Sequence, residues 1–360
     1  MLIEQLLLKQ EAGEGGATVA IFSFDDGNLK IRAVDISDPS SMSGLGSGDS
    51  GNNLDTGQTL PFEGVAVDSV NQVAYVSGDA QRFLSFDISD PNSIGSPIGN
   101  IDVGAGTTGG GIALDVAGSY AYTVGFDYDS IHSIDISDPA SLVEDDELKT
   151  SNINDPVAIA LDVANGYAYL AGFAGNRVSA IDISTPTAMS YVSNVTSTAD
   201  LEDASGIAID LTNNYVYVSA YTDDCITAVD ISTPASLSIT GTLSNSNLDR
   251  ATDIDIDVDN QVAYVVSENQ DSNCTISSID ISTPASMSQL DTLNLEGVSD
   301  SKPKIRIDTI SQVAYVLYKG SSNTTLKSVD ISTPSSMTVL DTLTFSGVND
   351  HGDIDLYFPQ

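Results

Sequence analysis

One phrase, Asp-Ile-Ser-(Asp/Thr)-Pro, recurs seven times along the 360-residue chain, and no other feature limits the possible folds so tightly. Its Asp falls at Asp35, Asp87, Asp135, Asp182, Asp230, Asp280 and Asp330, at intervals of 47 to 52 residues. A second series of Asp closes an apolar run, at Asp68, Asp115, Asp162, Asp210, Asp257, Asp308 and Asp355. Seven residues after the first six of these stands a tyrosine: Tyr75, Tyr122, Tyr169, Tyr217, Tyr264 and Tyr315. Three markers in step define a repeat of about 48 residues, and a period of that size is the mark of a repeat architecture.

Each repeat reads as short strands. Gly206-Ile-Ala-Ile-Asp210 alternates as one strand, Tyr215-Val-Tyr-Val218 follows an Asn-rich turn, and Ile226-Thr-Ala-Val-Asp-Ile231 gives a third. A weaker fourth follows, as in Leu290-Asp-Thr-Leu293. No helical period of useful length interrupts them. The expected fold is all-β: a seven-bladed β-propeller with four-stranded antiparallel blades. The chain begins with a second strand, Thr18-Val-Ala-Ile-Phe22, and a third, Lys30-Ile-Arg-Ala-Val-Asp35. The missing first strand stands at the other end, in Gly352-Asp-Ile-Asp-Leu356. Six blades are therefore continuous, and the last is closed by the N- and C-terminal strands, which removes free sheet edges. The propeller spans residues 17–360 and leaves residues 1–16 outside it. Three residues after each Pro sits an apolar plug: Met42, Ile94, Leu142, Met189, Leu237, Met287 or Met337.

The Val-Asp-Ile-Ser-Asp-Pro phrase and its preceding Ala-Tyr-Val strand resemble LVIVD-repeat proteins. The Ala-Ile-Asp…Tyr-Val-Tyr-Val stretch is similar to YVTN-type surface propellers. The resemblance covers roughly residues 17–356. It implies surface-associated interaction proteins of bacteria and archaea, and no shared catalytic site.

Charge narrows the partners. With 51 acidic residues against 12 basic ones the chain carries −39, which repels nucleic acid and anionic membranes. Such a surface fits a saline setting or bound divalent cations. The run Asp253-Ile-Asp-Ile-Asp-Val-Asp259 supplies weak metal candidates in Asp255 and Asp257, where a structural cation such as calcium would find hard oxygen ligands. Otherwise no cofactor is expected. The N-terminal MLIEQLLLKQEAGEGG has no basic stretch before its apolar run and does not read as a secretory signal, and no segment has the ~18 apolar residues of a membrane span. Leu2, Ile3, Leu6 and Leu7 could form one face of a short helix. It would be either a cap on the propeller or an arm that docks into a larger assembly. Cys225 and Cys274 lie at matching places of adjacent repeats, too far apart on that geometry for a disulfide, so free thiols are expected.

The repeat breaks in one place. Four residues before the second-series Asp stand Gly64, Gly111, Ala158 and Gly206, then Asp253, Lys304 and His351. Two residues before it stand Ala66, Ala113, Ala160 and Ala208, then Asp255, Arg306 and Asp353. A strand has period two, so these positions share a face, and innermost strands line the channel. Three adjacent blades are thus expected to carry a charged arc. It reads either as a salt-bridge network with Arg306 between Asp255 and Asp353, or as a binding site of Asp253, Asp255, Lys304, Arg306, His351 and Asp353. With only two His in the chain and no Ser-His-Asp arrangement visible in sequence, no catalytic residue is assigned. The favoured function is a non-enzymatic interaction, adhesion or structural module, binding proteins or surface glycans on a cell or virion surface in saline surroundings. The alternative is a channel-sited hydrolase of the lactonase kind.

Overall fold

The computed structural model describes residues 16, 18–25, 29–46, 62–78, 82–103, 110–269, 273–295, 302–320, 323–346 and 352–358. Their twenty-eight strands form seven four-stranded antiparallel sheets arranged as a seven-bladed propeller, as the repeat predicts. Blades 1 to 6 begin with the inner strands Phe62–Asp68, Ile112–Asp115, Pro156–Asp162, Ala204–Asp210, Ala251–Asp257 and Lys304–Asp308. Blade 7 takes its inner strand, Ile354–Tyr357, from the C-terminus and pairs it with Val19–Asp25 from the N-terminus. The proposed arm residues Leu2, Ile3, Leu6 and Leu7 lie outside the described residues.

The two faces of each blade are covered by neighbouring blades. Second strands are therefore buried along nearly their whole length rather than alternating, and Val73–Gly78 is buried at every residue. Fourth strands at the rim, such as Ser238–Ser244, alternate toward solvent. The described core divides into seven clusters, each shared by two adjacent blades. One of them packs Val73, Tyr75 and Phe83 of blade 1 against Ala121 and Ile134 of blade 2.

The repeated residues hold this ring in three ways. The phrase Asp turns the chain: each of the seven accepts the backbone N–H of the Ser two residues on, an Asx turn at the strand end. The plug residues pack beneath it, six of the seven being buried and Leu142 partly so. The Pro carbonyl then faces the preceding blade, where Ser85, Ser133, Ser193, Ser278 and Ser328 donate Oγ–H to Pro139, Pro186, Pro234, Pro334 and Pro39 at 2.5 to 2.6 Å. The second-series Asp clasps the inner hairpin. Asp68, Asp162, Asp210 and Asp257 each accept both the backbone and the side-chain N–H of the Asn three residues on.

The six repeat tyrosines are the largest fully buried side chains. Burial first, and then the clasping Asp, push their phenols up and keep them neutral. The hydroxyls of Tyr75, Tyr169 and Tyr315 find no hydrogen-bond partner among the described residues. A buried unsatisfied hydroxyl costs ~1–3 kcal/mol. Tyr169→Phe is therefore expected to stabilise the fold by about 1 kcal/mol in chemical denaturation, whereas Tyr169→Ala should cost about 3–5 kcal/mol through the cavity it leaves.

Cys225 and Cys274 are free and buried, as expected. Burial raises the Cys225 thiol to about 12 and pushes the Cys274 thiol up as well. Among the described residues no helix is long and apolar enough to cross a membrane.

Candidate functional site

Inner strands of adjacent blades converge so closely at the channel that side chains there are restricted. A Cβ on Gly206 would stand 2.9 Å from the Asp253 Cα, and one on Gly64 would stand 2.6 Å from the Gly110 carbonyl oxygen. Small residues at these positions of blades 1 to 4 are thus a packing requirement. On blades 5 to 7 the same places are taken by charged residues, of which Asp253, Asp255, Arg306 and Asp355 bond to groups on a neighbouring blade.

The result is a cavity of about 500 Å³ with two unlike walls. Gly111, Ile112, Val157, Ala158, Ile207 and Ala208 are among the lining residues from blades 2 to 4, and that wall carries no charged group. Opposite stand Asp253, Asp255, Lys304, Arg306 and Asp353. Five of the six proposed binding residues are therefore brought together. His351 lies outside the described residues.

Blade 7 departs from the sequence alignment by two residues. Asp255 pairs across its hairpin with Tyr264, and Arg306 with Tyr315. In the closing blade Ile21 stands where that Tyr would be, and its partner is Asp355. Asp355 is therefore the counterpart of Asp255 and Arg306, Asp353 is the counterpart of Asp253 and Lys304, and Tyr357 fills the clasp position. Hydrogen bonding agrees: Gln261 and Gln312 reach back to the clasping Asp210 and Asp257, and the equivalent Gln72 donates to the Tyr357 hydroxyl at 2.9 Å. Spacing alone had placed Asp355 among the clasps because a carboxylate happens to stand 47 residues after Asp308.

Arg306 is also seated differently from the expectation. Its Nη1 reaches Asp253 Oδ2 at 3.3 Å and its Nη2 reaches Asp353 Oδ2 at 3.0 Å, with Asp355 at 4.0 Å from Nε. Asp255 is not its hydrogen-bonded partner. The stagger of blades 5 and 6 explains this. Asp253 Oδ2 accepts the Ile305 N–H and Asp255 Oδ2 accepts the Ile307 N–H, so the residue between them points back toward Asp253. Asp355 repeats the Asp255 arrangement two interfaces further, between blades 7 and 1, accepting the Val67 and Leu356 N–H groups.

Desolvation dominates the electrostatics. Burial lifts Asp255 and Asp355 to about 6 against the opposing pull of Arg306 and two backbone N–H groups each. Burial also raises Asp353, against Arg306 and Lys304. For Arg306 burial works against the charge, but Asp353, Asp253, Asp355 and Asp255 outweigh it and hold the guanidinium ionised. Lys304 lines the cavity and makes no hydrogen bond or ion pair with the described residues.

The two cation-ligand candidates, Asp255 and Asp257, are both hydrogen-bonded to protein groups. Asp257 spends its oxygens on Asn260 and Gln312, while Asp255 turns to the backbones of blades 5 and 6. Among the described residues no three His, Cys, Asp or Glu side chains group as metal ligands.

One arrangement escaped the sequence altogether. Ser130 Oγ lies 2.9 Å from His132 Nε2, and His132 Nδ1 lies 2.6 Å from Glu144 Oε1, which joins serine, histidine and acid in a chain. Residues i and i+2 of one strand share a face, and Glu144 comes from the paired strand, so strand pairing was the signal. Ser130 and His132 are wholly buried inside blade 2, where no substrate can meet the hydroxyl. Its role is to satisfy buried polar groups.

The family described as "Lactonase, 7-bladed beta-propeller" matches residues 111–283, and the LVIVD repeat matches residues 24–49 and 315–344. The LVIVD resemblance read from the phrase is thus present in blades 6 and 7. The lactonase match covers the apolar wall with Asp253 and Asp255, and stops short of Lys304, Arg306 and Asp353. No curated protein matches the chain. Among solved structures the chain is similar to a protein from Lactobacillus plantarum at 13% identity and TM-score 0.75, covering 95% of this chain and 99% of that one. It is also similar to a putative 6-phosphogluconolactonase from Bacteroides uniformis at 10% identity and TM-score 0.74, covering 94% and 99%. A third is a Pseudomonas aeruginosa periplasmic gluconolactonase, at 11% identity and TM-score 0.70, covering 96% and 100%. At such identities the structures show the shared fold. The expectation of a non-enzymatic interaction, adhesion or structural module is corrected by the lactonase match. It had rested on the resemblance to surface propellers and on the scarcity of His, and carboxylate and cation chemistry does not need a His.

Proposed function

We propose that this propeller hydrolyses lactones in the channel cavity. The observation that carries the proposal is one cavity in which a desolvated carboxyl poised near neutrality, Asp255, stands with two cations, Lys304 and Arg306. Ionised Asp255 takes a proton from water as the water oxygen bonds to the lactone carbonyl carbon. The Lys304 ammonium stabilises the charge that develops on the carbonyl oxygen. Collapse of the tetrahedral intermediate breaks the ring C–O bond, and the protonated Asp255 returns its proton to the leaving oxygen. One water is added and a hydroxy acid leaves. Arg306 acts as a positioning residue, fixing the Asp253 and Asp353 carboxylates through both ends of its fork. The lactonase match at residues 111–283 supports the reaction class, and the names of two structural neighbours agree with it. The −39 charge supports a saline, extracellular setting, where salt screens the self-repulsion.

The test is hydrolysis of glucono-δ-lactone by the purified chain, followed as acid release above the spontaneous rate. Lys304→Met keeps the side-chain volume and removes the charge. It should lower kcat by about 10²–10³-fold while circular dichroism and thermal midpoint hold. Equal kcat in the two proteins would reject the reading.

A further inference from the structure

We infer that the channel site takes uncharged lactones and rejects phosphorylated ones; this rests on the lactone-hydrolase reading. A phosphate-recognising pocket presents free guanidinium forks, ammonium groups or backbone N–H nests to the anion. Here the Arg306 fork is already spent on protein acceptors. Nη1 is held by Asp253 Oδ2 and by the Ile305 carbonyl oxygen at 2.7 Å, and Nη2 by Asp353 Oδ2. Lys304 is the other cation on the lining, and the proposed chemistry uses it at the carbonyl oxygen.

Against these two cations the lining sets Asp253, Asp255 and Asp353, a formal −1, with Asp355 close behind on Arg306. The whole chain adds a field of −39, which an incoming dianion must climb and which bulk salt screens least inside a recess. The blade 2 to 4 wall offers a phosphate no charged partner, because it is built from Gly, Ala, Ile and Val. That wall suits an uncharged ring or side chain packed against it, while the charged wall addresses the ester group alone. Discrimination would thus come from repulsion of the wrong substrate as much as from attraction of the right one.

The experiment compares kcat/KM of the full chain for glucono-δ-lactone and δ-valerolactone, both uncharged, with 6-phosphoglucono-δ-lactone. The expected result is a preference of about 100-fold or more for at least one uncharged lactone. Equal rates, or a preference for the phosphorylated lactone, would overturn this inference and leave the hydrolase reading standing. Absence of catalysis on all three would overturn both together. As a second readout, 6-phosphogluconate at millimolar concentration should not inhibit turnover of the uncharged lactone, and inhibition at micromolar concentration would also overturn the inference.

Discussion

Arg306→Ala is expected to cost the fold about 3–5 kcal/mol, as much as truncating a fully buried aromatic side chain. The side chains of Asp253 and Asp353 are only 9% and 8% exposed, and the guanidinium is what compensates both. Its removal leaves two carboxylates facing each other with little water and one cation, Lys304, nearby. The loss also falls on three blades at once, because Asp253, Arg306 and Asp353 stand on blades 5, 6 and 7. The measurement is the shift in denaturant midpoint at pH 7, followed by the same shift in the Asp253→Asn/Asp353→Asn background. If the cost arises from stranded carboxylates, the amide background should recover most of it. A cost below about 1 kcal/mol in the first comparison would show that solvent in the channel already carries the charges. Because burial already raises Asp353, the deficit should shrink as the pH falls and that carboxyl protonates.

How far the sequence could be read follows from which residues repeat. Periodic markers made the fold legible, since each Asp-Ile-Ser-(Asp/Thr)-Pro turn and each buried Tyr performs one local task seven or six times over. The closing blade was legible in outline and misaligned in detail. Its inner strand lost the clasping Asp to Tyr357, and Asp355, two residues earlier, offered a false marker. The channel arc showed itself because substitution of Gly and Ala by Asp, Lys and Arg breaks a packing rule, and such breaks concentrate at functional sites. Pairing within the arc was not legible. Whether Arg306 meets Asp253 or Asp255 depends on the stagger between two adjacent blades, and no local pattern encodes that offset. The Ser130-His132-Glu144 chain was hidden for a different reason, its acid arriving from the paired strand of the same blade next to a register shift. Function was misjudged by seeking histidine, when burial had already brought carboxyls into the neutral range.

Asp255→Asn should abolish the pH-dependent part of catalysis, lowering kcat by about 10²–10⁴-fold with KM little changed. In the wild type the rate is expected to rise with pH through about 6 and level off above it, as Asp255 ionises. The variant should lose that limb. Asp355→Asn is the informative comparison, because Asp355 has the same lifted pKa of about 6 but does not line the cavity. It should retain the rising limb, and its loss there would move the base from Asp255 to Asp355. The same shifts act on stability with a definite sign. Both carboxyls are raised above the unfolded value of about 3.9, so the fold favours their protonated forms. Their contribution is fully present below pH ~4 and is lost as the pH climbs through about 6. Each amide variant should therefore flatten the decline in thermal midpoint between pH 5 and 7 relative to the wild type. The ionised form that would activate water is thus the form the fold tolerates least. Burial of Asp255 supplies both effects, so a substitution that exposes this carboxyl to water should lower the catalytic midpoint pH and relieve the stability loss together.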